Sequence, residues 1–143
     1  MLWVRGNLFI PDARVFWVKP SVNYLKKYIE ENNIDTIVTS GPPHSLHLIG
    51  LQLKKELNIK WLADFRDPWT NIDYYDKLML SKWADKRHRK LEKSVFREAD
   101  EVVTVSWSWA EDFYQLTGRK PLVVTNGYDP LDFEGKDNYA RSE

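Results

Sequence analysis

Four short apolar segments, separated by stretches with helical periodicity, constrain the fold of this chain more than any other feature. They are rich in β-branched residues and apolar almost throughout, which is typical of strands that are covered on both faces. Each connection between them is long enough for a right-handed parallel crossover. The alternation therefore predicts an α/β fold with a doubly wound parallel sheet. The predicted strands span residues 36–40, 60–65, 101–106 and 122–125, and a fifth short strand could form over residues 15–18.

Helical patterns fill the connections between these strands. Pro20 stands in a first turn, Ser108 and Glu111 have the spacing of a capping box, and Gly118 is a plausible stop. His88 lies on the apolar stripe of the third helix, where a core histidine is more common than a ligand. The first residues contain no clear opening strand, so we expect a sheet that is incomplete at both ends. The predicted helices span about residues 20–33, 44–57, 78–98 and 107–118.

The composition narrows the class of protein. A chain of 143 residues suits one domain, and 43% hydrophobic with 29% charged residues is typical of a globular protein. The net charge of zero argues against nucleic acid as a partner, and the absence of cysteine excludes thiolate metal sites. No apolar run approaches the roughly 20 residues of a membrane-spanning helix, and the start lacks the order of a signal peptide. We therefore expect a cytoplasmic protein.

The first strand runs into a turn with two prolines and a histidine. Gly41 permits backbone conformations that other residues resist, and Pro43 stiffens the start of the next helix. The amides at that helix start, with His44 and Ser45, could hold an anion or a sugar hydroxyl. The alternative is a rigid loop that only caps the helix. Ligands bind at the carboxyl ends of parallel strands, so this turn is a candidate substrate-binding segment.

The second strand ends in a cluster of charged residues and a tryptophan. An aspartate at a buried strand end costs free energy unless it is paired, and Arg66 could pair with Asp64. In the functional interpretation Asp64 or Asp67 is a catalytic base or hydroxyl ligand, Arg66 binds substrate, and Trp69 is a wall of the pocket. The alternative is a structural Asp–Arg pair. The polar and aromatic loop over residues 73–76 could border the same site.

Two further segments belong to the same predicted edge of the sheet. Ser106 ends the third strand and Asn126-Gly127 follows the fourth, and all three are candidate substrate-binding residues. In the alternative, Ser106 caps the next helix and Asn126-Gly127 turns the chain. His44 and His47 could share a metal, but no third ligand has suitable spacing, so no metal site is predicted. The chain also lacks a dinucleotide fingerprint, a P-loop and a nucleophile elbow.

These residues carry a resemblance to a known family. The segments SGPPHSLHLIGLQLKKELNIKWLADFRDPWT, LEKSVFREADEVVTVS and VVTNGYD resemble the amino-terminal half of family-4-type glycosyltransferases of the GT-B fold. The similarity covers about residues 11–133 and is closest to the bacterial branch with ADFRDPW. It implies a Rossmann-like acceptor-side domain over residues 15–129, after an extension over 1–14 and before a linker or tail over 130–143.

The resemblance also implies a reaction. Such enzymes transfer a sugar from a nucleotide-sugar donor to a glycan or lipid-linked acceptor with retention of configuration, and need no metal or other cofactor. The full-length enzyme would work in bacterial glycan assembly, with peripheral association at the inner face of the membrane.

The chain departs from the family pattern in three places. The first strand with its glycine-rich loop and the carboxyl-terminal donor domain, with two glutamates eight positions apart, have no counterpart here. The family often has a histidine near the end of the second strand, where this chain has Asp64. By resemblance the chain is an acceptor-side fragment that is inactive alone. The alternatives are a stand-alone, flavodoxin-like module that binds a small anion or sugar without catalysis, and an interaction domain without a small-molecule site.

Overall fold

The computed structural model describes residues 2–129, which form alternating helices and strands. Two single 3₁₀ turns, Val15–Trp17 and Tyr75–Leu78, lie outside the α-helices. No helix in this described range is long and apolar enough to cross a membrane. The helices are α1 (Leu2–Leu8), α2 (Val18–Glu31), α3 (Ser45–Glu56), α4 (Lys82–Glu98) and α5 (Trp107–Thr117), and the strands are β1 (Thr36–Gly41), β2 (Lys60–Phe65), β3 (Glu101–Thr104) and β4 (Leu122–Val123).

The four strands form one parallel sheet in the order β1-β2-β3-β4. This confirms the predicted α/β class with a parallel, Rossmann-like sheet flanked by helices. In the register, Ser40 lies opposite Asp64, and Asp64 lies opposite Val103. The carboxyl ends of β1 and β2 are therefore neighbours, and the loops that follow them share one edge of the sheet.

The helices cover one face of the described sheet. Because each strand is added on the same side of the previous one, right-handed crossovers place α3, α4 and α5 on the same face. On the opposite face Val38 is 64% exposed, and Leu122 and Val124 are each 57% exposed. Coverage of every strand on both faces is thus a wrong prediction for β1 and β4 within the described residues. The core under the covered face includes Trp61, Phe65, Phe96, Val102 and Phe113.

Three local predictions are also wrong. The 3₁₀ turn over Val15–Trp17 replaces the fifth strand, because these residues lead directly into α2 instead of pairing with the sheet. The predicted start of α4 at residue 78 moves to Lys82, since Met79 adopts φ 50° and Ser81 caps the helix. Ser106 rather than Ser108 caps α5, as its Oγ accepts from the Trp109 amide. Gly118 ends that helix with φ 78°, as predicted.

Residues 2–8 form a helix that the sequence analysis did not predict. Asn7 ties α1 to the segment before α4, because its Nδ2 donates to the Met79 carbonyl and its Oδ1 accepts from the Ser81 amide. A side chain at Gly6 would lie 2.6 Å from Leu80 Cδ2, so the helix packs closely there. The boundary at residue 14 stays a prediction, and the predicted tail over 130–143 lies outside the described residues.

Candidate functional site

A cavity of about 650 Å³ lies beside the carboxyl ends of β1 and β2. Its walls come from five parts of the chain: residues 5–14, the loop after β1, the loop after β2, the 3₁₀ turn Tyr75–Leu78, and His88 of α4. This volume is within the range of small-molecule sites, and the strand ends are where α/β sheets bind ligands. Of the predicted site residues, Pro43, His44 and Trp69 line this cavity.

The rings of His44 and Trp69 are stacked where they line the cavity. Their centroids are 4.9 Å apart and their planes differ by 2°. Trp69 is 3% exposed, so the stack is fixed by packing on its inner side. His44 is half-buried and exposes a larger fraction of its surface than Trp69, so contact with a ring in the cavity would fall mainly on the His44 side of the stack.

A hydrogen bond to His88 fixes the position of the Trp69 ring. The Trp69 Nε1–H donates to His88 Nδ1 at 3.1 Å, and His88 Nε2 lies 3.3 Å from the Gly6 carbonyl oxygen. Burial lowers the pKa of His88, so the ring is neutral at pH 7. Because an indole N–H can only donate, Nδ1 of His88 accepts, and the protonated Nε2 donates to the Gly6 carbonyl oxygen. The histidine predicted to be a core residue therefore links α1 to the stacked pair.

Glu92 fixes the residue after Trp69. Thr70 Oγ1 donates to Glu92 Oε2 at 2.5 Å, and the Thr70 amide lies 3.3 Å from Oε1. Glu92 is fully buried, and burial raises its pKa. No sequence signal marks Glu92, because the helical pattern of α4 places a charged side chain there without showing which residue it contacts.

The two histidines after β1 are both neutral at pH 7. Burial lowers the pKa of His44 to about 4, with the Asp12 carboxylate acting in the opposite direction. Burial lowers the pKa of His47 to about 3. His44 Nδ1 and His47 Nε2 have no hydrogen-bond partner in the described part of the chain.

Both of these unpartnered nitrogens face Gly41. A Cβ at Gly41 would lie 2.6 Å from His47 Nε2 and 3.3 Å from His44 Nδ1. His47 has no room to retreat, because its Nδ1 lies 2.9 Å from Thr39 Oγ1 and its ring stacks on Phe65 with centroids 4.3 Å apart. Gly41 is therefore required by space rather than by an unusual backbone angle.

The start of α3 already holds a carboxylate of the chain. Asp12 Oδ2 accepts from the Ser45 amide at 2.8 Å, and its Oδ1 accepts from Ser45 Oγ at 2.9 Å and from the Arg14 amide at 2.9 Å. Ser45 is 2% exposed. An external anion at this helix start, as the sequence analysis predicts, would have to displace Asp12 or lie beside it.

A second group of predicted residues lies on the open face of the sheet. Asp64 Oδ2 accepts from Ser40 Oγ at 2.8 Å, whereas Oδ1 has no hydrogen-bond partner among the described residues. Arg66 donates to the Asn126 side chain instead of Asp64. The expected Asp64–Arg66 pair is thus not formed, because Asp64 points to its register neighbour Ser40 and Arg66 lies beyond the strand end.

The remaining predicted residues take separate positions. Ser106 caps α5, as the structural alternative expected. Asp67 is half-buried next to the cavity segment, and Gly127 is exposed with open space around it. No three metal-ligating side chains come together within residues 2–129. The catalytic assignment of Asp64 and Asp67 stays a prediction.

Several residues that line the cavity were not singled out from the sequence. Arg5, Asp12 and Arg14 come from the predicted extension, whose packing against the loops after β1 and β2 depends on contacts far apart in the chain. Tyr74 and Tyr75 belong to the polar and aromatic loop that was expected to border the site, and they do line it.

A comparison with protein families gives one match. The model of the family described as Glycosyltransferase Family 4 matches residues 2–130. The matched range includes every segment that forms the cavity. No curated protein and no solved structure matches the chain.

Proposed function

This chain belongs to glycosyltransferase family 4, and from that premise we propose that it forms the acceptor-binding side of a GT-B-fold transferase. The partner domain would bind the nucleotide-sugar donor, and the acceptor would be a glycan or a lipid-linked sugar. A lipid-linked acceptor would bring the enzyme to the inner face of the bacterial membrane during glycan assembly. The observation that carries the proposal is the 650 Å³ cavity with the stacked His44–Trp69 pair at the carboxyl edge of the sheet.

In this proposal the cavity positions the acceptor ring. The ring lies against the plane of the His44–Trp69 pair, and Glu92 and His88 keep that plane in place through Thr70 and Trp69. An acceptor hydroxyl then attacks the anomeric carbon of the donor as the bond from that carbon to the donor phosphate breaks. Most of the rate enhancement would come from orientation and electrostatics, since the diphosphate is already a good leaving group.

Asp64 and Asp67 are the proposed ligand or base for the acceptor hydroxyl. Asp64 Oδ1 is buried and lacks a hydrogen-bond partner in the described chain, so it would offer an unused acceptor to a substrate hydroxyl only if the strand end opened to admit that hydroxyl. We therefore keep Asp64 and Asp67 as the candidates for hydroxyl ligand or base, with Arg66 and Asn126 as a hydrogen-bonded pair beside them. Transfer with retained configuration is part of the same proposal.

The alternative of a stand-alone anion-binding module has less support. It places the anion at the start of α3, where the Ser45 amide and hydroxyl both bind Asp12. The acceptor proposal needs only the cavity, which that carboxylate helps to build.

Sugar binding by the ¹⁵N-labelled chain tests the proposal. Titration with neutral and acidic hexoses should shift the indole signal of Trp69 saturably, and Trp69→Phe identifies that signal among the seven tryptophans. Trp107 is 72% exposed on α5, so Trp107→Phe identifies a matched surface signal that should not move. Equal shifts at both indoles, or none at either, would rule out a sugar site in this cavity.

The catalytic assignment needs the enzyme together with its donor-binding domain. Asp64→Asn and Asp67→Asn should each leave the fold intact, and substitution of the true base should lower transfer by about 100-fold or more. Near-normal turnover in both variants would remove both residues from the mechanism.

A further inference from the structure

The cavity has a charge imbalance that the chain as a whole does not have. Lys and Arg equal Asp and Glu in number over the full sequence. Among the residues that line the cavity, however, Arg5, Arg14 and Lys77 are cationic, and Asp12 is the one acid. The walls therefore carry a surplus of two positive charges at neutral pH.

The chain does not neutralise these cations internally. The oxygens of Asp12 accept from the Ser45 amide and hydroxyl and from the backbone amide of Arg14, so the carboxylate is used for folding. None of the three cationic side chains forms an ion pair with a residue in the described range. The Arg14 guanidinium lies 5.8 Å from the centroid of the Trp17 ring, and this contact with an aromatic face does not neutralise its charge.

The histidines do not add to or offset this charge. His44 and His88 both line the cavity, and burial lowers the pKa of each below its usual value. At pH 7 they present neutral rings. The cavity thus combines the His44–Trp69 stack with three cations that are unpaired in the described range, and a concave wall with a net positive charge concentrates anionic ligands.

We infer that the ligand of this cavity is a sugar with an anionic substituent, either a carboxylate or a phosphate. The ring would stack on the His44–Trp69 pair, and its anionic group would bind Arg5, Arg14 or Lys77. Arginine suits both anions, since its planar guanidinium can donate two parallel hydrogen bonds. The inference deepens the proposed function and rests on it.

Three hexoses that differ only at carbon 6 test the inference. Glucose, glucuronate and glucose 6-phosphate present an alcohol, a carboxylate and a phosphate on the same ring. Calorimetric titration of the 143-residue chain should give an affinity at least about tenfold higher for the two anionic sugars than for glucose. That preference should shrink as salt is raised, because exposed charges are screened. Inorganic phosphate alone should bind more weakly than glucose 6-phosphate, since it lacks the ring.

Single variants identify which of the three cationic side chains binds the anionic group of the sugar. Arg5→Gln, Arg14→Gln and Lys77→Gln remove exposed charges and should leave the circular dichroism spectrum unchanged. At least one should weaken glucose 6-phosphate binding by about tenfold while glucose affinity changes less than about twofold. Lys27 is exposed on α2 and does not line the cavity, so Lys27→Gln is the matched control for net charge and should have no effect.

The outcomes separate this inference from the proposed function. If none of the three hexoses binds, both fail together. Equal affinity for all three hexoses overturns the inference but not the proposed acceptor site. The same holds if Lys27→Gln weakens glucose 6-phosphate binding as much as the cavity variants do. Vesicles of phosphatidylcholine with phosphatidylglycerol test a lipid headgroup as the source of the anion. The inference would also be overturned if the cavity variants lost vesicle binding but kept their affinity for glucose 6-phosphate.

Discussion

Alanine at position 41 tests the packing that connects the sheet to the cavity. The new Cβ would lie 2.6 Å from His47 Nε2 and 3.1 Å from its Cδ2. The His47 ring is fully buried, close to Thr39 at its other nitrogen and stacked on Phe65. Since the obstacle is a ring with no space behind it, the strand or the start of α3 must move.

The size of the effect follows from two opposing contributions. Overpacking of a well-packed interior costs about 1–3 kcal/mol. Alanine also restricts the unfolded chain, which returns about 0.4–1 kcal/mol because φ at Gly41 is not positive. The difference between the two ranges spans about 0–2.6 kcal/mol, and because the His47 ring has no space behind it we expect Gly41→Ala to lower the free energy of unfolding by an amount in the upper half, about 1.3–2.6 kcal/mol. His44 should shift with His47, so binding of a sugar at the His44–Trp69 pair should weaken as well.

Urea unfolding at pH 7 measures this loss, with Gly127→Ala as the matched control. A Cβ at Gly127 would meet no atom within 4 Å, and φ there is not positive, so the same substitution should be neutral or slightly stabilising. A Gly41→Ala protein as stable as the Gly127→Ala protein would show that His47 has room to move. The expectation of a tight strand-to-helix turn would then be wrong.

Three other predictions concern titration and the sheet. The pKa values of His44 and His47 are lower in the folded chain than the usual 6.5, so the stabilisation from their neutral rings should be complete above about pH 6.5 and be lost as the pH drops towards 4 for His44 and 3 for His47. Each histidine contributes at most about 1.4 kcal/mol per pH unit, and urea midpoints of a Glu92→Gln protein that stay constant between pH 7 and 5 would contradict this. Burial raises the pKa of Glu92, so this residue makes the free energy of unfolding fall as the pH rises. Glu92→Gln removes that effect, and its urea midpoint should change less with pH above pH 5 than the midpoint of the unsubstituted chain. Val38→Thr on the open face should change stability by less than about 0.5 kcal/mol, whereas Val102→Thr, 1% exposed on the covered face, should cost at least about 1 kcal/mol. Equal losses in urea would show that both faces are covered.

The sequence predicts the sheet and its crossovers well because their signals are local. The run KWLADF has the pattern of a buried strand, and β2 spans Lys60–Phe65 as predicted. Gly118 ends α5 because a left-handed residue is needed there and glycine adopts it without strain. In each of these cases the residues that decide the structure are adjacent in the chain.

The missed features depend on contacts between distant residues. Asp12 binds Ser45 across 33 positions, and His88 lies against Gly6 across 82 positions. Neither partner is marked by periodicity or spacing, so the first fourteen residues are predicted as an extension although they build a wall of the cavity. The expected Asp64–Arg66 pair does not form for the same reason. Asp64 binds Ser40 and Arg66 binds Asn126, and these partners come close only after the strands align.

The strand-end residues divide into two groups because alternate residues of a strand point to opposite faces. Ser40 and Asp64 point to the open face, whereas Thr39 points to the helix side, where its Oγ1 meets His47. The proposed acceptor cavity lies on the loops that continue towards the helix side, and the buried, unpartnered Asp64 Oδ1 lies on the other side of the strand end. A reaction that uses both the cavity and Asp64 would therefore take place above the carboxyl ends of β1 and β2. The acceptor ring would lie on the helix side, and its reacting hydroxyl would extend across these strand ends to the open face. In the proposed function Asp64 would bind the attacking hydroxyl, and the His44–Trp69 pair would bind the sugar ring that carries this hydroxyl. A loss of ring binding in Asp64→Asn would contradict that division of roles.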